Sequence, residues 1–274
     1  MLTGSAGQPI YPVPTPQAET SSWVAQVVTN GGTVSAIQQA RVDLVIAALK
    51  AASLWTLIDD IWWLAAQSSI QALTSLKGLR LAVATASPVF LQTRGYTFNG
   101  TSSYIDTTFN PSTMGVAMTG SSLRIGVYNV ANVNSNNISA GVRVASSSSL
   151  YGISTRVSNT TAQINLLNNS VTFSVTLPAN DSRGYSVGNR SAGPVFTMYK
   201  NGTSAGTYTP GGNITVLPAA KLYIGCQNNN GTAAFFRGDS TSWVDVGGSL
   251  TSGQEATMYG IVNNAMKYMG CATQ

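Results

Sequence analysis

The chain has 274 residues, and only 23 are charged: 14 Lys or Arg against 9 Asp or Glu, for a net charge of +5. It has no histidine, which removes every Ser-His-Asp, Cys-His and histidine-metal site at once. An apolar content of 43% is enough for a substantial core and argues against disorder, which pairs low hydrophobicity with high net charge.

In chain order, residues 1–19 form an arm containing Pro9, Pro12, Pro14 and Pro16. Proline fixes φ and removes a donor, so the arm is expected to be extended or polyproline-like. It is expected to be held by a neighbouring subunit rather than by its own domain. Residues 20–78 carry helical spacing. Thr20 or Ser22 caps a first helix with Trp23, Val24, Val27 and Val28, stopping at Gly31-Gly32. Thr33 caps a second with Ile37, Val42, Val45, Ile46 and Leu49. Ser53 opens a third over Leu54–Ala66, and Ser68 or Ser69 a fourth before Gly78. The dense tryptophans of the third read as core.

From about residue 80 the pattern becomes short alternating runs between Gly, Asn, Ser and Pro turns, the mark of a sandwich or barrel. The runs are Leu81–Ala84, Tyr96–Phe98, Tyr104–Thr108, Leu123–Tyr128, Ala140–Val144, Ala162–Leu166, Val171–Val175, Val195–Tyr199 and Leu222–Ile224. Asn201-Gly202 and Asn230-Gly231 predict hairpins, because a type I′ turn needs φ > 0 at both central residues. Thr251 with Gln254 and Ser252 with Glu255 both fit a capping box opening a final helix over Met258, Ile261, Val262, Ala265 and Met266.

Charge is uneven: residues 1–106 are neutral, and the whole excess lies in 107–274. Arg124, Arg143, Arg156, Arg183, Arg190 and Lys200 face only Asp181 in sequence between positions 124 and 200. They could form a cationic face, but they are scattered singly, so no nucleic-acid partner is expected. Cys226 and Cys271 lack metal spacing and are expected to be buried free thiols. No secretory signal opens the chain, and Lys50, Asp59 and Asp60 interrupt its most apolar stretch, so no membrane insertion is expected.

Residues Gly95 to Asn110 (GYTFNGTSSYIDTTFN) resemble the opening strands of concanavalin A-like, laminin-G-type jelly rolls. Leu222–Gly225, Phe235–Gly238 and Gly248–Thr251 are similar to the way such domains close. Ala40-Arg41, Ala47–Lys50, Leu54-Trp55 and Leu64–Ala66 resemble a helical prefix found before lectin-like domains of bacteriophage and prophage structural proteins. The resemblance spans roughly residues 20–270. It implies a mainly β chain: an antiparallel two-sheet jelly-roll sandwich over residues 79–274, preceded by a helical anchoring or oligomerisation segment (20–78) and the arm (1–19).

Glycan-cleaving relatives of that fold carry a Glu-x-Asp-x-x-Glu strand, whose spacing sets alternate carboxylates on one face as nucleophile and acid. This chain has two glutamates, Glu19 and Glu255, far apart, so the motif is absent and no catalytic residue is expected. Asp239 and Asp245 flank Trp243 and read as loop and turn residues. Asp106, Asp239 and Asp245 lack the spacing of a calcium loop, so neither metal nor cofactor is expected. Gly202-Thr-Ser204-Ala-Gly206 matches G-x-S-x-G by chance, in a hairpin with no histidine partner. Nine Asn-x-Ser/Thr sequons read as turns.

What remains is a surface of neutral hydrogen-bonding groups with some aromatics; 62 residues are Ser or Thr and 21 are Asn. Amides and hydroxyls bond sugar hydroxyls, and aromatic faces stack on sugar rings. Tyr151, Arg156, Asn229, Asn230, Arg237 and Trp243 are the candidate ligand-binding residues. The expected function is a non-enzymatic bacteriophage virion protein, in a tail fibre, spike or capsid attachment, adhering to host-surface polysaccharide. The arm and helices would contact other virion proteins and build a homo-oligomer, a trimer by analogy with viral attachment proteins. The alternatives are a capsid decoration protein without a glycan ligand and, more remotely, a polysaccharide-degrading enzyme.

Overall fold

The computed structural model describes residues 15–144, 150–158, 160–167, 173–176, 180–191, 195–209 and 216–273. Most of the expected arm, residues 1–14, lies outside them. The chain opens with helices α1 (Ala18–Thr29) and α2 (Ala36–Ala51), a 3-10 turn (Trp55–Leu57), strand β1 (Ile58–Trp62) and helix α3 (Ser69–Leu73). Strands β2 (Val83–Thr85), β3 (Val89–Leu91), β4 (Gly95–Thr97) and β5 (Tyr104–Asp106) lead to helix α4 (Pro111–Met114). Then come β6 (Leu123–Asn129), β7 (Ala140–Arg143), β8 (Tyr151–Ser154), β9 (Thr161–Leu166), β10 (Phe173–Thr176), β11 (Gly184–Arg190), β12 (Phe196–Lys200) and β13 (Thr203–Tyr208). The short β14 (Tyr223–Ile224), β15 (Gln227–Asn229) and β16 (Thr232–Ala234) precede the long β17 (Ser240–Gly247) and helix α5 (Ser252–Met269).

Among the described residues the strands form two sheets, almost wholly antiparallel, stacked as a sandwich. The first runs β13-β12-β11-β6-β17-β4-β3, with β1 joining β4 on the same edge of β17; the second runs β10-β9-β8-β7-β14-β5-β2, with β15 and β16 attached. The fold class expected from the sequence is therefore the observed one: mainly β, two sheets, with a few helices.

Two apolar layers follow from strand alternation. Along β6, Leu123, Ile125 and Val127 face the other sheet and share one core with its Ile105, Tyr151 and Ile164, with Phe109 after β5 and with Phe196 of β12. The opposite positions of the first sheet, with Tyr128, Tyr185, Val187 and Trp243, carry a second layer made with Trp23, Val42, Ile46 and Leu49 of α1 and α2 and Met258 and Val262 of α5. Helices α1, α2 and α5 thus cover one outer side of the sandwich.

The third expected helix is a correction. Leu54–Ala66 is a 3-10 turn followed by β1, which pairs with β17 from Ile58↔Gly247 to Trp62↔Val244. All five residues of β1 are buried, and a continuous apolar run has no period that separates a two-sided strand from a buried helix. Residues 20–78 therefore supply both the helical cover and a strand of the sheet. The first helix also starts earlier than expected, at Ala18 with Gln17 at its N-cap: Thr20 does not cap it but donates to Asp43 of α2 at 2.7 Å, as the Gln17 amide does at 2.6 Å. Ser35, not Thr33, caps α2, whereas Ser68 caps α3 as read from the sequence.

Both hairpins form. Asn201 and Gly202 turn β12 into β13 with φ of 49° and 76°; Asn230 and Gly231 turn β15 into β16 with φ of 54° and 90°. Thr251 and Gln254 complete the capping box of α5, and Gly270 ends the helix in the left-handed region. Cys226 and Cys271 are buried free thiols.

Candidate functional site

Three of the six candidate residues are interior. The Tyr151 ring lies between the sheets and its hydroxyl donates to the Arg124 carbonyl. Trp243 is fully buried under the helices and donates Nε1–H to Asp245 at 2.8 Å. Arg237 is fully buried as well: its guanidinium donates to Asp239 (2.7 Å) and to the carbonyls of Val133, Ser135, Asn137 and Arg156 at 2.5–3.2 Å. It pins three loops together by satisfying carbonyls that no strand takes up. None of the three is open to a ligand arriving from solvent: Tyr151 and Trp243 are packing groups and the Arg237 guanidinium pins loops.

Asp239 and Asp245 are not loop-surface residues either, since both are fully buried. Asp245 belongs to a cluster centred on Arg124, whose side chain points from β6 towards the helices. The guanidinium pairs with Asp245, with Glu255 through Nε (3.0 Å) and Nη2 (3.1 Å), and with the Tyr185 hydroxyl at 2.8 Å. Tyr185 donates in turn to Asp245. Burial raises the Glu255 carboxyl above its ordinary range, and Arg124 opposes that rise. Every hydrogen-bonding group here is spent on its neighbours, and the cluster ties α5 to the sheet.

The other three residues are accessible. Arg156 is half-buried and held by the Ser158 carbonyl (3.1 Å) and Asn132 (2.7 Å). Asn229 and Asn230 sit at the tip of the β15–β16 hairpin, where the Asn230 amide donates to the Arg143 carbonyl at 2.8 Å. That contact continues the parallel pairing of β15 with β7, so the hairpin extends the second sheet, whose outer face lies on the side of the sandwich opposite α1, α2 and α5.

Strand register builds this face. One cross-strand row runs Val83, Asp106, Tyr223, Gly141, Gly152, Asn165 over six strands. At the usual inter-strand spacing it is about 24 Å long. Gly141 and Gly152 are directly opposed at its centre, where both are buried beneath Ile138: an added Cβ would stand 2.9 Å from the Ile138 side chain at Gly141 and 3.7 Å from it at Gly152. Beside them lies a depression of about 50 Å³ lined by Ile138, Leu150, Ser154, Gln163 and Asn165. Gln163 donates to Ser174 at 3.0 Å. At the other side of the glycines Tyr104 packs on Tyr223 with ring centroids 4.7 Å apart and on Phe236 at 6.2 Å. Tyr104 is half-exposed, whereas Tyr223 is nearly covered. Burial, with help from Asp106 and Tyr104, pushes the Tyr223 phenol up to about 12, so it stays a neutral donor. Lys221 pairs with Asp106 at 3.0 Å, and Arg143 follows Gly141 on the same face. The adjacent Phe235 is exposed and holds a φ of 54°, a conformation a bulky residue rarely takes.

Tyr104, Arg143 and Gln163 were missed as ligand candidates although their strands were read correctly. The signal was present: each alternates with a core residue, Ile105, Val142 and Ile164 respectively.

No protein-family profile matches the chain, and no curated protein matches it in sequence. Among solved structures, it is similar to domain 4 of AbnA, a GH43 extracellular arabinanase from Geobacillus stearothermophilus, in complex with arabinotriose. The TM-score is 0.50 at 12% identity, covering 74% of this chain and 98% of that domain. A mutant sialidase of Trypanosoma rangeli displaying trans-sialidase activity matches with TM-score 0.47 at 12% identity, over 82% of this chain and 39% of that one. The binding domain of botulinum neurotoxin serotype D matches with TM-score 0.46 at 9% identity, over 74% and 52%. At these identities the likeness is one of fold, a two-sheet β sandwich.

Proposed function

We propose that the chain is a non-enzymatic adhesion module that binds glycan on the outer face of its second sheet. The observation that carries this reading is that face itself: aromatic groups at Tyr104 and Phe236 on one side, amide and hydroxyl groups at Gln163 and Ser174 on the other, and between them the Ile138 side chain over the Gly141–Gly152 pair. Sugar recognition needs a flat apolar surface flanked by neutral donors and acceptors, and these lie along a strip long enough for a chain of sugars. The sandwich it shares with a domain solved with arabinotriose supports the same reading. Asn229 and Asn230 at the hairpin tip would border the strip. Hydrolysis is not part of the proposal, because the carboxylates Asp239, Asp245 and Glu255 are committed to buried arginines.

The setting we propose is a bacteriophage particle, with the sandwich outward and host-surface polysaccharide as ligand; the resemblance of Ala40–Lys50 and Leu54-Trp55 to a phage helical prefix supports it. A glycan array probed with the purified full-length protein tests the binding: saturable signal is expected, reduced at least tenfold by Tyr104→Ala, and uniform absence of signal overturns the reading. A second reading, capsid decoration, rests on Leu81, Val83, Val89 and Leu91, exposed aliphatics on and beside the strands that end each sheet. Under it, particles lacking the protein lose resistance to heat or low salt while adsorbing normally.

A further inference from the structure

Helix α2 is apolar on two opposite sides. One side, with Val42, Val45, Ile46 and Leu49, is buried in the layer between helices and sheet. The other is a line of Ile37, Ala40, Leu44, Ala47 and Ala51, whose alternating spacing of three and four residues is the a/d repeat of a coiled-coil seam. Ile37 is 64% exposed and Leu44 55%; Ala40 and Ala51 are exposed as well, and Ala47 is half-buried. A helix apolar on both sides is one that is covered on both sides.

The surroundings of the seam agree. Helix α2 packs against both α1 and α5, whose exposed positions include Ala25, Val28, Ala256 and Gly260. Among the described residues of the three helices, Lys50 and Lys267 are the only exposed charged ones, and Lys50 is paired with Glu19 at 3.0 Å. A surface meant for water carries roughly 25–35% charged residues. This layer is composed for contact with protein.

We propose that the seam is a homodimer contact, in which the α2 seam of a second copy packs antiparallel across it. The sizes along the seam select that partner. A two-fold axis at Leu44 sets the two Leu44 side chains against each other, Ile37 of each copy opposite Ala51 of the other, and Ala40 opposite Ala47. Large then meets small at both ends, and the alanines between them let the helices approach closely. A parallel pair would instead stack Ile37 on Ile37 and leave its alanine layers underfilled. Helix α2 is about 24 Å long, and three helices at about 9 Å spacing span roughly 27 Å, so the layer approaches the ~800 Å² per partner of a standard interface. The copies would lie back to back, with the uncovered face of each second sheet turned outward.

Sedimentation velocity of the full-length protein at up to about 100 μM tests the contact. The wild type is expected to dimerise. Leu44→Glu, which sets two carboxylates against each other at the axis, is expected to raise the dissociation constant at least tenfold. A short bifunctional maleimide tests the direction: Leu44→Cys should cross-link to a dimer, and Ile37→Cys only when Ala51→Cys is added to the same chain. A monomeric wild type, dimerisation unchanged by Leu44→Glu, or cross-linking of Ile37→Cys alone overturns the proposal. Should Leu44→Glu fail to fold, Leu44→Cys, a milder change at an exposed position, decides alone. The result is independent of glycan binding, which needs the opposite side of the sandwich.

Discussion

The two outer sides of this sandwich use polar groups in opposite ways. On the helix-covered side the charged and phenolic groups of Arg124, Asp245, Glu255, Tyr185 and Trp243 are closed on one another, with Arg124 and Asp245 fully buried. On the uncovered side, Tyr104, Arg143, Gln163 and Ser174 stand at the surface around a glycine pair covered by Ile138. The difference teaches where function can sit. A polar cluster whose partners are all supplied internally holds structure together, whereas one with groups left to solvent can recognise something else.

The largest effect should come from breaking the closed side. Arg124→Met leaves Asp245 and Glu255 buried without their cation and should cost about 3–5 kcal/mol in denaturant unfolding. A loss below about 1 kcal/mol would mean that the cluster is dispensable. Lys200 gives the next effect. Burial lowers its ammonium to about 8, below the unfolded value of 10.5, so the folded state holds fewer protons between those values. Stability from this group is therefore lost as pH falls through about 8 and is fully present above 10.5. The stability of wild type relative to Lys200→Met should rise by on the order of 2 kcal/mol from pH 7.5 to 10.5; a pH-independent difference would contradict the burial argument.

The two Asn-Gly hairpins offer a finer comparison of the same dipeptide on different sides. An added Cβ at Gly202 would meet Tyr259 and Ala256 of α5 at 3.0–3.1 Å, whereas at Gly231 it meets nothing within 4 Å. Both pay the left-handed penalty of about 1–2 kcal/mol. Gly202→Ala should therefore shift the denaturation midpoint more than Gly231→Ala, and equal shifts would deny the packing of α5 on that turn. Smallest of all, Tyr104→Ala should cost less than about 1 kcal/mol of stability, because the ring is half-exposed.

Much of this was legible in the sequence, and the rest was hidden for identifiable reasons. Alternation around Ile105, Val142 and Ile164 marked strands, and Asn-Gly marked both hairpins, because these signals are local. Strand β1 was hidden because Ile58–Trp62 is buried on both faces and so has no period. The Arg124 cluster was hidden because its partners lie 61 to 131 residues away, and nothing local marks Glu255 as other than a first-turn helix acid. Tyr151, Arg237 and Trp243 were mistaken for surface groups on residue type alone. Tyr104 lay on a correctly read strand, but which face of the second sheet stays uncovered depends on where α1, α2 and α5 pack.

The central claim is that the uncovered face binds glycan while the closed side only holds the fold. Calorimetric titration of a glycan positive on the array into wild type, Tyr104→Ala and Tyr185→Phe tests it most directly. Tyr104→Ala is predicted to weaken binding at least tenfold, about 1.4 kcal/mol, at nearly unchanged stability, while Tyr185→Phe, which loses its hydroxyl from the closed cluster, binds as wild type. Binding that ignores Tyr104, or that is lost equally in both variants, would contradict it.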